Sequence, residues 1–178
     1  MRLFVALDLP WELRAQLSAL SVGLEGVRWV APENYHITLR FIGEMPGHKA
    51  EEIDAALAGL KARGFALELS GVGTMEKSGR LTALWAGVAR NPALDLLRGK
   101  IDTALQRAGV PAERRRFLPH VTLARLDERA AEPRLAGWVQ AHNLFRSAPV
   151  PVEHFTLFSS LLGKDQPVYT PEVEYSLA

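Results

Sequence analysis

Glu33-Asn34-Tyr35-His36-Ile37-Thr38-Leu39-Arg40-Phe41-Ile42-Gly43 and Phe117-Leu118-Pro119-His120-Val121-Thr122-Leu123-Ala124-Arg125 decide how this chain reads. Each stretch carries a His-x-Thr-Leu element among strand-forming residues, and the two histidines lie 84 residues apart. On a strand, residues i and i+2 share a face. His36 and Thr38 therefore point one way, as do His120 and Thr122, while Ile37, Leu39, Phe41, Val121 and Leu123 form the apolar row that packs under helices.

The surrounding patterns repeat around the two motifs. In the first half, residues 2–9 read as a buried strand, and Pro10 opens a helix with Leu13, Leu17, Leu20 and Leu24 on one face. Residues 35–42 form the motif strand. Residues 46–63 form a helix that Gly64 closes, and residues 65–72 a further strand. In the second half, residues 82–89 are a strand, Asn91-Pro92 caps a helix bearing Leu94, Leu97, Ile101, Leu105 and Ala108, and residues 120–126 are the second motif strand. A helix over 130–142 and strands over 149–160 and 168–177 complete it. Gly64 and the stretch 71–79 read as turns.

The order strand, helix, motif strand, helix, strand thus occurs twice. It predicts an α+β fold that is internally duplicated and two-lobed. Two antiparallel sheets would face one another across a central groove, with helices on the outer faces. The whole of 1–178 is one domain, with lobes of roughly 1–75 and 80–178 between which strands can be exchanged.

Bulk properties limit the function classes. Hydrophobic residues make up 48% and charged residues 23% of the 178 residues, as in a folded globular protein. Net charge is +1 and the pI about 8.1, so a polyanion must be held by a local patch rather than by the whole surface. With no cysteine there is no disulfide, thiolate nucleophile or Cys-based zinc site. The opening segment 1–10 is interrupted by Asp8 and Pro10 and does not read as a signal peptide. No apolar run is long enough to span a bilayer. The expectation is a cytoplasmic monomer.

Two strands that each offer an imidazole and a hydroxyl to a groove suit phosphodiester hydrolysis. Histidine titrates near neutral pH, so one ring can accept a proton from water while another donates one to a leaving oxygen. The hydroxyls of Thr38 and Thr122 can donate to non-bridging phosphate oxygens. This chemistry requires no metal and no cofactor. A third match, His154-Phe155-Thr156-Leu157, shows that the motif by itself discriminates poorly. His36 and His120 stand at equivalent points of the repeat and are the catalytic candidates. His154 has no counterpart and is assigned a groove-lining or surface role.

Other candidates surround the pair. Arg40 shares the His36 face by alternation and is a candidate for phosphate contact. Trp29, Tyr35 and Phe158 are candidates for stacking on a base, and Trp85 and Trp138 for the core. Arg114-Arg115-Arg116 precedes the second motif as a candidate guide for an RNA backbone. His48 and His142 sit near helix ends.

The motifs and their context resemble the two-histidine phosphoesterase superfamily, and within it the bacterial and archaeal RNA 2′,3′-cyclic phosphodiesterases, also called 2′-5′ RNA ligases or LigT-like proteins. Besides the two motif stretches, Met1-Arg2-Leu3-Phe4-Val5-Ala6, Trp29-Val30, Phe155-Thr156-Leu157-Phe158-Ser159-Ser160 and Tyr169 fit this family. The resemblance implies hydrolysis of a terminal 2′,3′-cyclic phosphate on RNA or a nucleotide to a 2′-phosphate. It makes His36 the acid and His120 the base. It adds Arg125 as a phosphate-binding arginine. Position i+5 from His120 falls on the wrong face of a regular strand, so Arg125 reaches the groove only if the strand bulges, twists or ends. The alternatives are a 2′-5′ RNA ligase, which runs the chemistry in reverse, and a non-catalytic RNA- or phosphate-binding module.

Overall fold

Ile37, Leu39, Val121 and Leu123 are each at most 1% exposed, as alternation along the two motif strands requires. They belong to one core of 31 buried residues that joins the helices to one face of the sheet. The computed structural model describes all of residues 1–178. Its order is β1 (Arg2–Asp8), α1 (Trp11–Ser18), β2 (Val27–Trp29), a 3-10 turn (Pro32–Asn34), β3 (His36–Glu44), α2 (Gly47–Ala58), β4 (Phe65–Leu67), β5 (Leu69–Lys77), β6 (Arg80–Val88), α3 (Pro92–Arg107), β7 (His120–Leu126), α4 (Glu132–His142), β8 (Val150–Val152), β9 (His154–Leu161) and β10 (Val168–Ser176). The fold is α+β, and every strand pairing is antiparallel.

The two sheets read from the sequence are two arms of one sheet. Its order is β10-β9-β1-β3-β7-β6-β5, with β2 also on β7, and β4 and β8 form a separate pair. The arms meet at β3 and β7 through one pair of partners, Ile37 and Val121. Beyond it the strands diverge, and β2 takes up the edge of β7 from Ala124 to Leu126. Each arm mixes early and late chain: β9 and β10 extend the β1–β3 arm, while β2 joins β5–β7.

Both motif strands carry a bulge at the same point of the repeat. Opposite β1, Arg40 pairs with Val5 and Thr38 with Ala6, leaving Leu39 unmatched. Opposite β6, Ala124 pairs with Leu84 and Thr122 with Trp85, leaving Leu123 unmatched. An extra residue reverses the facing of everything after it. Leu39 and Arg40 are consequently both buried, as are Leu123 and Ala124, while Phe41 and Arg125 turn outward. Phe41, expected in the apolar row, is 57% exposed and packs on Phe4 instead.

Several boundaries differ from the sequence expectation for local reasons. The second helix stops at Ala58 rather than running to 63. Residues 62–64 are held in backbone bonds with Ala178: the Ala178 amide donates to Ala62 and the Gly64 amide to Ala178. The expected strand over 65–72 is two strands that enter different sheets. The glycine-rich stretch 71–79 is mostly strand, and its turn is only Ser78-Gly79. Both of those residues have positive φ (53° and 78°), the backbone of a two-residue hairpin turn. Short β2 gave no periodic signal. The Asn91 cap formed as read, its side chain accepting from the Leu94 amide at 3.1 Å. No helix is long and apolar enough to cross a membrane.

Candidate active site

The antiparallel register at Ile37–Val121 sets each histidine beside the other strand's threonine. Four groups, His36, Thr38, His120 and Thr122, therefore gather on the uncovered face where the arms join. Each ring is tethered in the same way. His36 Nδ1 donates to the Asn34 carbonyl at 2.7 Å, and His120 Nδ1 donates to the Leu118 carbonyl at 2.6 Å. A carbonyl only accepts, so the proton sits on Nδ1 and the neutral ring's acceptor is Nε2. His36 Nε2 accepts from the Thr38 hydroxyl at 3.0 Å.

The segments carrying those carbonyls are themselves fixed. Arg14 of α1 donates to the carbonyls of Leu9 and Pro32, both at 2.7 Å, which pins the 3-10 turn before His36. Gln166, in the β9–β10 connection, accepts from the Ala31 amide at 3.1 Å and from Asn34 Nδ2 at 3.2 Å. The same hairpin brings Tyr169 edge-on to His36, with ring centroids 5.1 Å apart. Phe4 packs beside both rings, 5.2 Å from the imidazole and 5.2 Å from Tyr169, and stacks on Phe158 at 5.2 Å.

This enclosure has an electrostatic result. Burial pushes the His36 pKa below the ordinary histidine value. The bond to the Asn34 carbonyl opposes that shift, and the nearness of His120, Arg14 and Arg125 adds to it.

The bulge at Leu123 puts Arg125 where simple alternation forbids it. Past that bulge Arg125 is exposed on the face that carries His120 and Thr122, and its charge reaches both His36 and Tyr169. The matching bulge at Leu39 removes Arg40 from the groove. Arg40 is 3% exposed and bonded behind the sheet to Asp102 at 3.0 Å, to the Phe41 carbonyl at 2.6 Å and to the Pro111 carbonyl. It does not reach a groove ligand.

Other placements also correct the sequence reading. Tyr35 is 1% exposed, its hydroxyl 3.3 Å from Ser21 Oγ, and belongs to the core. Trp29 packs on Trp138 at 5.9 Å on the helix side, so neither it nor Tyr35 offers a face to a base. Trp138 is core as expected, with Nε1 donating to Leu20. Phe158 does lie on the groove face, but within the wall built on Phe4. His154 is 2.8 Å from Asp8 and 3.7 Å from Glu174, on the groove face to one side of His36. Arg114, Arg115 and Arg116 are exposed on the loop before β7. His48 is exposed at the start of α2, and His142 Nδ1 donates to Trp138 at the end of α4.

Trp85, expected in the core, is a groove residue. It pairs with Thr122, and its ring centroid is 6.4 Å from that of His120. A Cβ at Gly73 would lie 2.4 Å from the indole and one at Gly87 3.1 Å from it. Those two glycines leave the space in which the ring lies flat on the sheet. The signal was present in the sequence as strand glycines flanking a tryptophan. No group of three or more His, Cys, Asp or Glu side chains is arranged to hold a metal ion.

The profile of a family described as LigT like Phosphoesterase matches residues 7–85 and 87–169. An RNA 2′,3′-cyclic phosphodiesterase of Escherichia coli is 31% identical over 182 aligned positions, covering 99% of this chain and 96% of that protein. An RNA 2′,3′-cyclic phosphodiesterase of Aeropyrum pernix is 33% identical, covering 85% and 87%. The crystal structure of Escherichia coli LigT complexed with 3′-AMP superposes with a TM-score of 0.80 at 29% identity, covering 99% of this chain and 97% of that one.

Proposed function

The chain belongs to the LigT-like phosphoesterase family, and from that premise we propose that it is an RNA 2′,3′-cyclic phosphodiesterase working by paired-histidine acid–base catalysis. The observation that carries this reading is the like tethering of the two rings. Both Nδ1 atoms are committed to a carbonyl two residues back, which leaves both Nε2 atoms for the groove.

In this reaction the cyclic phosphate lies between the arms. Thr122 donates to its non-bridging oxygens, as does Thr38 once the protonated His36 ring no longer accepts its hydroxyl proton, and Arg125 neutralises charge that builds on them. His120 Nε2 takes a proton from water as the water oxygen bonds to phosphorus. The P–O3′ bond breaks, and His36 Nε2 delivers a proton to O3′. A 2′-phosphate and a 3′-hydroxyl result, and one proton has passed from His36 to the product while His120 has gained one. Burial disfavours the charged form of His36 in the free site, and an arriving phosphate anion favours it. Substrate binding thus loads the acid.

The test is turnover of a nucleoside 2′,3′-cyclic phosphate with identification of the product. A 2′-phosphate is expected. A 3′-phosphate would reverse the assigned leaving group, and no turnover of mononucleotide or oligonucleotide substrates would reject the function.

A further inference from the structure

Arg28 and Arg125 stand directly opposite each other on β2 and β7. Val27 and Trp29 pack toward the helix-side core, as do Ala124 and Leu126. Both arginines therefore project on the other face, and both are exposed. Directly opposed residues on one face hold their Cβ atoms about 4.5–5.5 Å apart, and like charges there destabilise the sheet. None of the chain's ion pairs includes either guanidinium. Asp127, whose carboxylate senses Arg28, is held by Arg129 through both its side chain at 3.0 Å and its amide at 2.7 Å. Two positive groups are thus set side by side, neither held in an ion pair, at the edge of the groove that contains the histidines.

The two arginines differ in position. Arg125 is on β7, the strand of His120, and in the proposed reaction it serves the reacting phosphate, whereas Arg28 lies one strand further out on β2. A mononucleotide has no anion to offer there. An RNA end does: the phosphodiester on the 5′ side of the terminal nucleoside, adjoining the cyclic phosphate along the same strand.

Resting on the proposed cyclic phosphodiesterase activity, we infer that Arg28 forms a subsite for that 5′ phosphodiester and makes the enzyme prefer an oligonucleotide end to a free cyclic nucleotide. The contact is a charge-assisted hydrogen bond to a non-bridging oxygen. It reads the backbone and carries no base preference.

The experiment compares a nucleoside 2′,3′-cyclic phosphate with the corresponding dinucleotide ending in a 2′,3′-cyclic phosphate, using the full chain and its Arg28→Gln and Arg28→Lys variants. The wild type should favour the dinucleotide in kcat/KM by about tenfold. Arg28→Gln should remove that advantage, mainly through KM, and leave the mononucleotide within about twofold, while Arg28→Lys keeps most of it. For the dinucleotide, the slope of log kcat/KM against log salt should flatten by about 0.7 in the Gln variant, the value for one phosphate of a single strand. Equal losses on both substrates, or a wild type without dinucleotide preference, would overturn the subsite while leaving the activity standing. Turnover of neither substrate by the wild type would remove the activity and the subsite together.

Discussion

β3 and β7 carry the same four-residue motif, the same bulge and the same Nδ1-to-carbonyl tether, yet they face the groove with opposite chemistry. After the bulge in β3 the outward residue is Phe41. At the equivalent place in β7 it is Arg125. Around His36 stand Phe4 and Tyr169, whereas around His120 stand Trp85 and two strands opened by glycine. The bulges themselves are held differently. In β3 the Leu39 carbonyl accepts from Arg98 Nε at 3.1 Å, inside a network of Arg40, Arg98, Asp102 and Glu113. In β7 the Leu123 carbonyl accepts from the Val30 amide at 2.8 Å. Duplication supplied the geometry, and divergence of its flanks made the two halves unequal. One histidine is desolvated and the other lies in an arm that carries positive charge and exposed arginines.

The largest effect expected on this comparison is on the histidines. His36→Ala and His120→Ala should each lower kcat by about 10²–10⁴-fold, the usual range for losing a general acid or base, with thermal melting little changed. The two roles separate with a substrate whose 3′ leaving group is activated and needs no protonation. Such a substrate should rescue His36→Ala and leave His120→Ala impaired. Rescue of His120→Ala instead would exchange the assigned acid and base.

A second expectation concerns stability. Arg40→Ala would leave β3 with an uncharged residue at the point where β7 has Ala124. Breaking a buried ion pair by removing one partner costs about 3–5 kcal/mol, and the lower end is expected here because Asp102 retains Arg98. A urea melt should show an earlier midpoint with an unchanged slope. A loss below about 0.5 kcal/mol would mean that the network does not hold the bulge.

Arg40 and Arg125 also show what was and was not legible before the structure. Strict alternation assigns Arg40 to the groove and Arg125 to the core. One extra residue in each strand reverses both, and nothing in Leu39 or Leu123 announces a bulge. The resemblance of Phe117–Arg125 to a known family pointed to Arg125, and the conflict with alternation was itself the clue to an irregular strand. The motif strands, α3 with its Asn91 cap and the duplicated order were readable because period and capping are local. The arm composition was not, because β9 joins β1 through contacts about 150 residues apart in sequence. Trp85 reads as core because an indole on a strand looks buried until Gly73 and Gly87 beside it are recognised as its bed.

The smallest effect separates His36 from any group that merely packs well. Its pKa is lowered in the folded chain by burial and nearby positive charge. Between that lowered value and the ordinary value near 6.5, the unfolded chain binds more protons than the folded one. Stability from this group is therefore fully present above about pH 6.5 and is lost as pH falls toward the folded-state pKa. One proton sets the slope at no more than about 1.4 kcal/mol per pH unit. Urea unfolding in buffers free of phosphate should show the wild type weakening over this interval and His36→Gln weakening less. Inorganic phosphate should flatten the wild-type slope, because an anion between the arms favours the charged ring. If His36→Gln kept the full slope, the enclosure by Phe4 and Tyr169 would have no electrostatic consequence, and the two halves would differ in shape but not in proton affinity.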